Sequence, residues 1–199
     1  MTVRRPRVVA AVAVLATAVT FEGCAARTGT VGEAFRPDGP LRSVSEHAWA
    51  IGVDPDTTFT DGLETLNFDA DGEVELQNVR LLGDSGLELV GVSLADPERT
   101  IGSVQYMETY PPRHRDLKGH IVDDGLGTPL AARTPNDIGW ELLLGIRATE
   151  PGRHVRTGIE VTYTHDGHTF RETLPALLAV CVGRSIGFRD CDLPDLSID

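Results

Sequence analysis

The stretch from residue 159 to residue 174 constrains this chain more than any other. Ile159, Val161 and Tyr163 fall on one face of an extended segment, Phe170 and Leu174 fall on one face of the next, and Asp166-Gly167 stands between them. A type I′ turn needs positive φ at both central residues, which glycine takes freely and aspartate tolerates. The dipeptide therefore specifies a tight hairpin, and its two-residue turn sets Tyr163 opposite Phe170 and Ile159 opposite Leu174. A lone hairpin is marginal in water, so further strands must cover its apolar face.

The rest of the chain supplies them as period-two alternation between turn clusters. Trp49 and Ile51 mark a first short strand, and Leu66 and Phe68 alternate before the turn Asp69-Ala70-Asp71-Gly72. Val74 and Leu76 follow, then Val79 and Leu81; the phase slips by one, which places a β-bulge near Gln77. Gly83-Asp84-Ser85-Gly86 turns the chain into Leu87 to Leu94; Trp140, Leu142, Leu144 and Ile146 keep one face; Leu177 to Val182 is a last apolar run. Helical periodicity is scarce. About eight short strands in one domain predict an all-β fold, an antiparallel sandwich that is Ig-like in general shape, with a β-barrel as the alternative.

Ahead of the strands lies a different kind of sequence. Arg4, Arg5 and Arg7 precede an apolar run from Val8 to Phe21, which Glu22, Gly23 and Cys24 break. Charge, a short apolar segment and a small-residue processing site are the layout of a secretory signal. Its 14 residues, apolar apart from Thr17 and Thr20, would span only about 21 Å as a helix, short of the ~30 Å hydrocarbon core, so a spanning helix is the weaker expectation. Phe21-Glu22-Gly23-Cys24 resembles the lipobox of bacterial lipoprotein signal peptides, with Gly23 and Cys24 matching, Phe21 an apolar substitute and Glu22 a departure. The resemblance implies cleavage before Cys24, acylation of that cysteine and attachment to the membrane through the lipid. The alternative is cleavage after Ala26 and secretion. The expected organisation is a signal peptide over 1–23, a flexible tether over 24–44, rich in Ala, Gly, Thr, Pro and Arg, and a folded domain over 45–199.

Three cysteines in an exported chain leave one without a partner. If Cys24 is lipidated or removed, Cys181 and Cys191 remain as a pair suited to an oxidising compartment. Their bridge would close a loop of about 11 residues and contribute roughly 3 kcal/mol.

Charge narrows the partners. Loss of residues 1–23 takes away three arginines and Glu22, leaving 15 basic and 29 acidic residues, a net charge of −14. Such a surface excludes nucleic acid, whose phosphates need Lys and Arg patches, and direct adhesion to anionic headgroups.

Motifs that invite a catalytic reading fail on order. Gly183-Arg184-Ser185-Ile186-Gly187 has the form of a nucleophile elbow, but no histidine follows it, and the elbow's triad places histidine last. Gly83-Asp84-Ser85-Gly86 is similar to the nucleophile motif of chymotrypsin-like proteases, yet Leu87 stands where that family has glycine and a β-turn accounts for all four residues. The chain is therefore expected to be no enzyme and to need no cofactor. His165 and His168 flank the hairpin turn as an opposed pair and make an extracytoplasmic metal binder the alternative function. Asp54, Asp56, Asp61, Asp69, Asp71 and Glu73 form an acidic belt without the spacing of a calcium loop, and read as charged turns.

One segment reverses the local sign. Residues 106–120 hold Tyr106, Tyr110, Arg113, Arg115 and Lys118, the last being the single lysine of the chain. Tyr and Arg are favoured at binding hot spots, and loops carry function on β scaffolds. The expectation is a non-enzymatic binding or interaction module, with these five residues as the contact surface for a protein or small ligand.

Overall fold

The computed structural model describes residues 39–43, 47–132, 138–183 and 191. Twelve strands are found among them, numbered along the chain: β1 (Leu41–Ser43), β2 (His47–Val53), β3 (Thr58–Phe68), β4 (Glu73–Gly83), β5 (Leu87–Ala95), β6 (Tyr106–Met107), β7 (Ile121–Val122), β8 (Pro129–Ala131), β9 (Trp140–Ala148), β10 (Gly152–His165), β11 (His168–Leu174) and β12 (Ala176–Val182). They form two six-stranded sheets. The first runs β1-β3-β9-β5-β7 with β6 beside β3; the second runs β2-β12-β10-β4-β8 with β11 beside β10. All neighbours are antiparallel except β2 and β12, which run parallel. The result is an all-β sandwich rather than a closed barrel.

The hairpin has the expected geometry. Asp166 and Gly167 take φ of 48° and 72°, and Tyr163 faces Phe170 while Ile159 faces Leu174. Asn78 pairs with Thr162 and Leu76 with Tyr163, which leaves Gln77 as the extra residue of a bulge. Cys181 and Cys191 are bridged, with Cα atoms 5.5 Å apart.

The folded body begins earlier than Ser45. Leu41 is buried, its N–H donates to the Tyr163 hydroxyl at 3.1 Å, and β1 pairs with the end of β3. Three residues are too few to show alternation, and the partner that buries Leu41 is distant in sequence.

Apolar residues from both sheets fill the space between them, among them Ile51, Phe59, Leu66, Leu142, Val161 and Val180. Within this core lies a charged cluster that two bulges create. Along β3 the inward set is Phe59 and Asp61, then Glu64, Leu66 and Phe68, so the parity changes across Gly62-Leu63. The register with β9 shifts at the same point, and Leu63 sits at φ 80°. Along β10 the register with β4 shifts between Arg156 and Gly158, leaving Thr157 unpaired. A slip of one residue reverses the face each side chain points to, and here it turns Arg156 into the core.

Arg156 and Asp61 are fully buried and paired through Nη1 and Oδ2. Arg156 Nη2 lies 3.8 Å from Glu64 Oε1, and its Nε donates to the Ala176 carbonyl at 3.1 Å. The Trp49 indole donates to the other Asp61 oxygen at 3.2 Å, and His47 Nε2 stands 2.7 Å from Glu64 Oε1. Asp61 therefore does not belong to a surface acidic belt, because its bulge points it between the sheets.

Removing one partner of a buried pair leaves a charge without compensation, which costs about 3–5 kcal/mol. Arg156→Met is expected to lose stability in that range in urea unfolding with an unchanged slope. A loss below about 1 kcal/mol, the level of an exposed pair, would contradict this account of the cluster.

Candidate functional site

Ala95 ends β5, and the chain leaves the sandwich until Ile121 returns it to that strand. This excursion carries the sequence's basic segment. It crosses the outer face of the first sheet, where Ala95, Val104, Leu117 and Leu143 form a second small core, with Ile101, Met107 and Ile121 against it.

Two devices fasten it. The first is a buried ion pair. Arg99 Nε lies 3.1 Å from Glu141 Oε2 and also donates to the Gly102 carbonyl at 2.8 Å, while Nη1 donates to the carbonyls of Asp96 and Gly139. The other oxygen of Glu141 accepts from Val104 N at 2.5 Å and from Leu63 N at 3.5 Å. Gly62 N also donates to the Gln105 carbonyl, and a Cβ on Gly62 would come within 2.0 Å of the Val104 carbonyl oxygen. The β3 bulge is thus gripped on its outer side by this excursion, as it is on its inner side by Arg156.

The second device is Tyr110. Gly91 and Gly145 face each other across β5 and β9, and a Cβ on either would come within 2.5 Å of the tyrosine. Two absent side chains make the seat in which the ring lies. The Tyr110 hydroxyl meets Ser93 Oγ at 3.0 Å, and Ser93 also donates to the Asp123 carbonyl. Tyr106 is fixed as well: it pairs with Asp61 in the sheet, and its ring lies 6.3 Å from Trp49 and 5.8 Å from Phe59. Burial raises the phenol pKa of both tyrosines. Both are half-buried fasteners of the segment.

Arg113, Arg115 and Lys118 are exposed and line one open groove of about 530 Å³, together with Ile121 and Asp123. A single 3-10 turn, Arg115–Leu117, shapes it; His114 Nδ1 accepts from Asp116 N at 3.3 Å, and Leu117 plugs the second core. Asp116 lies 3.2 Å from Arg115, so that charge is partly satisfied within the loop. Among the described residues, Arg113 and Lys118 have no ion-pair partner.

The histidines stay apart. His165 opposes His168 across the hairpin, but its Nδ1 meets the Glu73 carbonyl at 3.0 Å and its Nε2 lies 3.4 Å from Asp166. His120 pairs with Asp96 at 3.0 Å, and His154 meets the Glu150 carbonyl at 2.8 Å. Among the described residues, no group of three or more His, Cys, Asp or Glu side chains is placed to hold a metal. Asp84 of the Gly83–Gly86 turn accepts from Val155 N at 2.8 Å, a structural use of that motif. The motif at 183–187 lies, apart from Gly183, outside the described residues, as do Cys24 and the residues before it.

Comparison with known proteins adds no name. No protein-family model matches the chain, and no curated protein does. Among solved structures, the VesB protease of Vibrio cholerae is similar at 8% identity and a TM-score of 0.32. The match covers 71% of this chain and 32% of that one, and a likeness so distant carries no functional argument.

Burial raises the carboxyl pKa of both Asp61 and Glu141 despite their arginine partners. A raised folded-state pKa means that the native protein binds more protons than the unfolded chain at pH values above the ordinary carboxylate range. Stability from these groups is then lost as pH rises through the folded values. Melting temperature is expected to fall as pH rises above the ordinary carboxylate range, and less steeply in Glu141→Gln. A flat profile, or the same slope in the variant, would count against it.

Proposed function

We propose that this chain is an exported, lipid-anchored and non-enzymatic interaction module whose contact surface is the groove of Arg113, Arg115 and Lys118. The observation that carries the reading is the local reversal of charge: two unpaired cations beside a third, held on a buried scaffold, on a domain whose mature net charge is −14. Leu117, Tyr110 and the Arg99–Glu141 pair anchor the segment that carries these cations, which lowers the ordering cost of binding.

The location outside the cytoplasm rests on separate support. The Cys181–Cys191 bridge suits an oxidising compartment, and no helix among the described residues is long and apolar enough to cross a membrane. Attachment through Cys24 rests on the lipobox resemblance. A lipid supplies what the acidic surface withholds, since this domain gains nothing from anionic headgroups.

Two experiments test the two halves. Arg113→Glu/Lys118→Glu is expected to abolish capture of the partner that the wild type retains from envelope extracts, and wild-type capture is expected to weaken with salt, as exposed charges demand. Equal capture by both proteins would sink the groove as contact surface. Cys24→Ala is expected to move the protein from the membrane to the soluble fraction; unchanged fractionation would remove the anchor from the reading.

A further inference from the structure

The composition of the groove points to the chemistry of its occupant. Its unpaired charged groups are Arg113, Lys118 and the Asp123 carboxylate, while Arg115 is engaged by Asp116. These three groups sum to one positive charge. The complement is a ligand with a net negative charge that also donates hydrogen bonds, because a carboxylate accepts and repels a bare anion. Ile121, half-buried, adds an apolar patch to the lining. At about 530 Å³ the groove falls within the range of small-ligand clefts and exceeds the needs of a simple anion or a free amino acid. Its openness suits one end of a longer molecule. A globular acidic partner fits less well: it would lay its charge against the negative surface around the groove within a Debye length of about 8–10 Å.

On the reading that this groove is the contact surface, we propose that it binds an acidic sugar, a hexose-sized or longer saccharide carrying carboxylate or phosphate. The anionic group lies against Arg113 and Lys118. Hydroxyls donate to Asp123, and the C–H face of the ring lies on Ile121. The carboxylate and the phosphate forms share this chemistry, and the test separates them.

The full exported chain is titrated calorimetrically with glucuronate, a trigalacturonate, glucose 6-phosphate, glucose, inorganic phosphate and glutamate. The acidic sugars are expected to bind, with either glucuronate and trigalacturonate or glucose 6-phosphate the tighter according to the anionic group preferred, and glucose to be at least about tenfold weaker. Arg113→Glu/Lys118→Glu is expected to weaken the acidic sugars by about tenfold or more. Asp123→Asn is expected to erase the preference for glucose 6-phosphate over inorganic phosphate, a change that a purely structural role for Asp123 would not produce. Binding of inorganic phosphate or glutamate as tight as that of the sugars overturns the proposal, since the groove then reads charge alone. No binding of any of these ligands, with partner capture still lost in Arg113→Glu/Lys118→Glu, also overturns it but leaves the interaction module standing. Capture that ignores the charge reversal removes both.

Discussion

Arg156 enters the core only because Thr157 bulges out of the ladder between β10 and β4, and it finds Asp61 and Glu64 together only because β3 bulges at Gly62-Leu63. Each irregularity would strand a charge without the other. Taking an ion out of water costs several kcal/mol that only a matched partner offsets. A slip of one residue in either strand would turn Arg156 outward or leave two carboxylates facing an apolar layer. The cluster therefore penalises every register but one, and it does so at the contact between the two sheets. A purely apolar core of the same volume would hold the sheets together without choosing between registers.

The same bulge works outward. With Gly62 lacking a side chain, the Val104 carbonyl can approach β3, and Glu141 gathers the free N–H groups of Leu63 and Val104 while pairing with Arg99. Two arginines, one on each face of the first sheet, thus brace one kink. The excursion over residues 96–120 inherits its position from that brace and from the Tyr110 seat. Its exposed cations can then be presented on a segment with little regular structure of its own, because the rigidity comes from what lies underneath.

Much of the sandwich was legible because its determinants are local. Asp166-Gly167 fixes a hairpin by backbone sterics, the parity change from Leu76 to Val79 reveals the Gln77 bulge, and an even pair of cysteines leaves one pairing. The missed features are those whose partners lie far along the chain. Phe59 is odd and Leu66 even, so a parity change was there to read in β3, but Leu63 between them keeps the odd parity, so the alternation does not place the change at Gly62-Leu63, and Asp61 was grouped with the turn acids. Arg156 carried no signal by itself, since an arginine in the polar stretch Arg153-His154-Val155-Arg156-Thr157 looks solvated. The seat for Tyr110 depends on two glycines from different strands. Residues 106–120 were singled out as an expected contact surface by charge and aromatic content; sequence could not show that the tyrosines face inward while Arg113, Arg115 and Lys118 remain outside.

The parallel pairing of β2 with β12 sets the order in which this domain can be completed. His47 lies opposite Ala176 and Val53 opposite Val182, so the first strand of the second sheet waits for the last. No early fragment can close that edge, and contacts of such long sequence separation form slowly because the intervening loop entropy must be spent first. A chain that emerges N-terminus first from a ribosome or a narrow pore therefore stays open along one side until its final strand is free. On the proposal that the chain is exported, this late closure would keep the polypeptide flexible for as long as passage lasts, and the adjoining cystine would then lock the finishing strand after arrival.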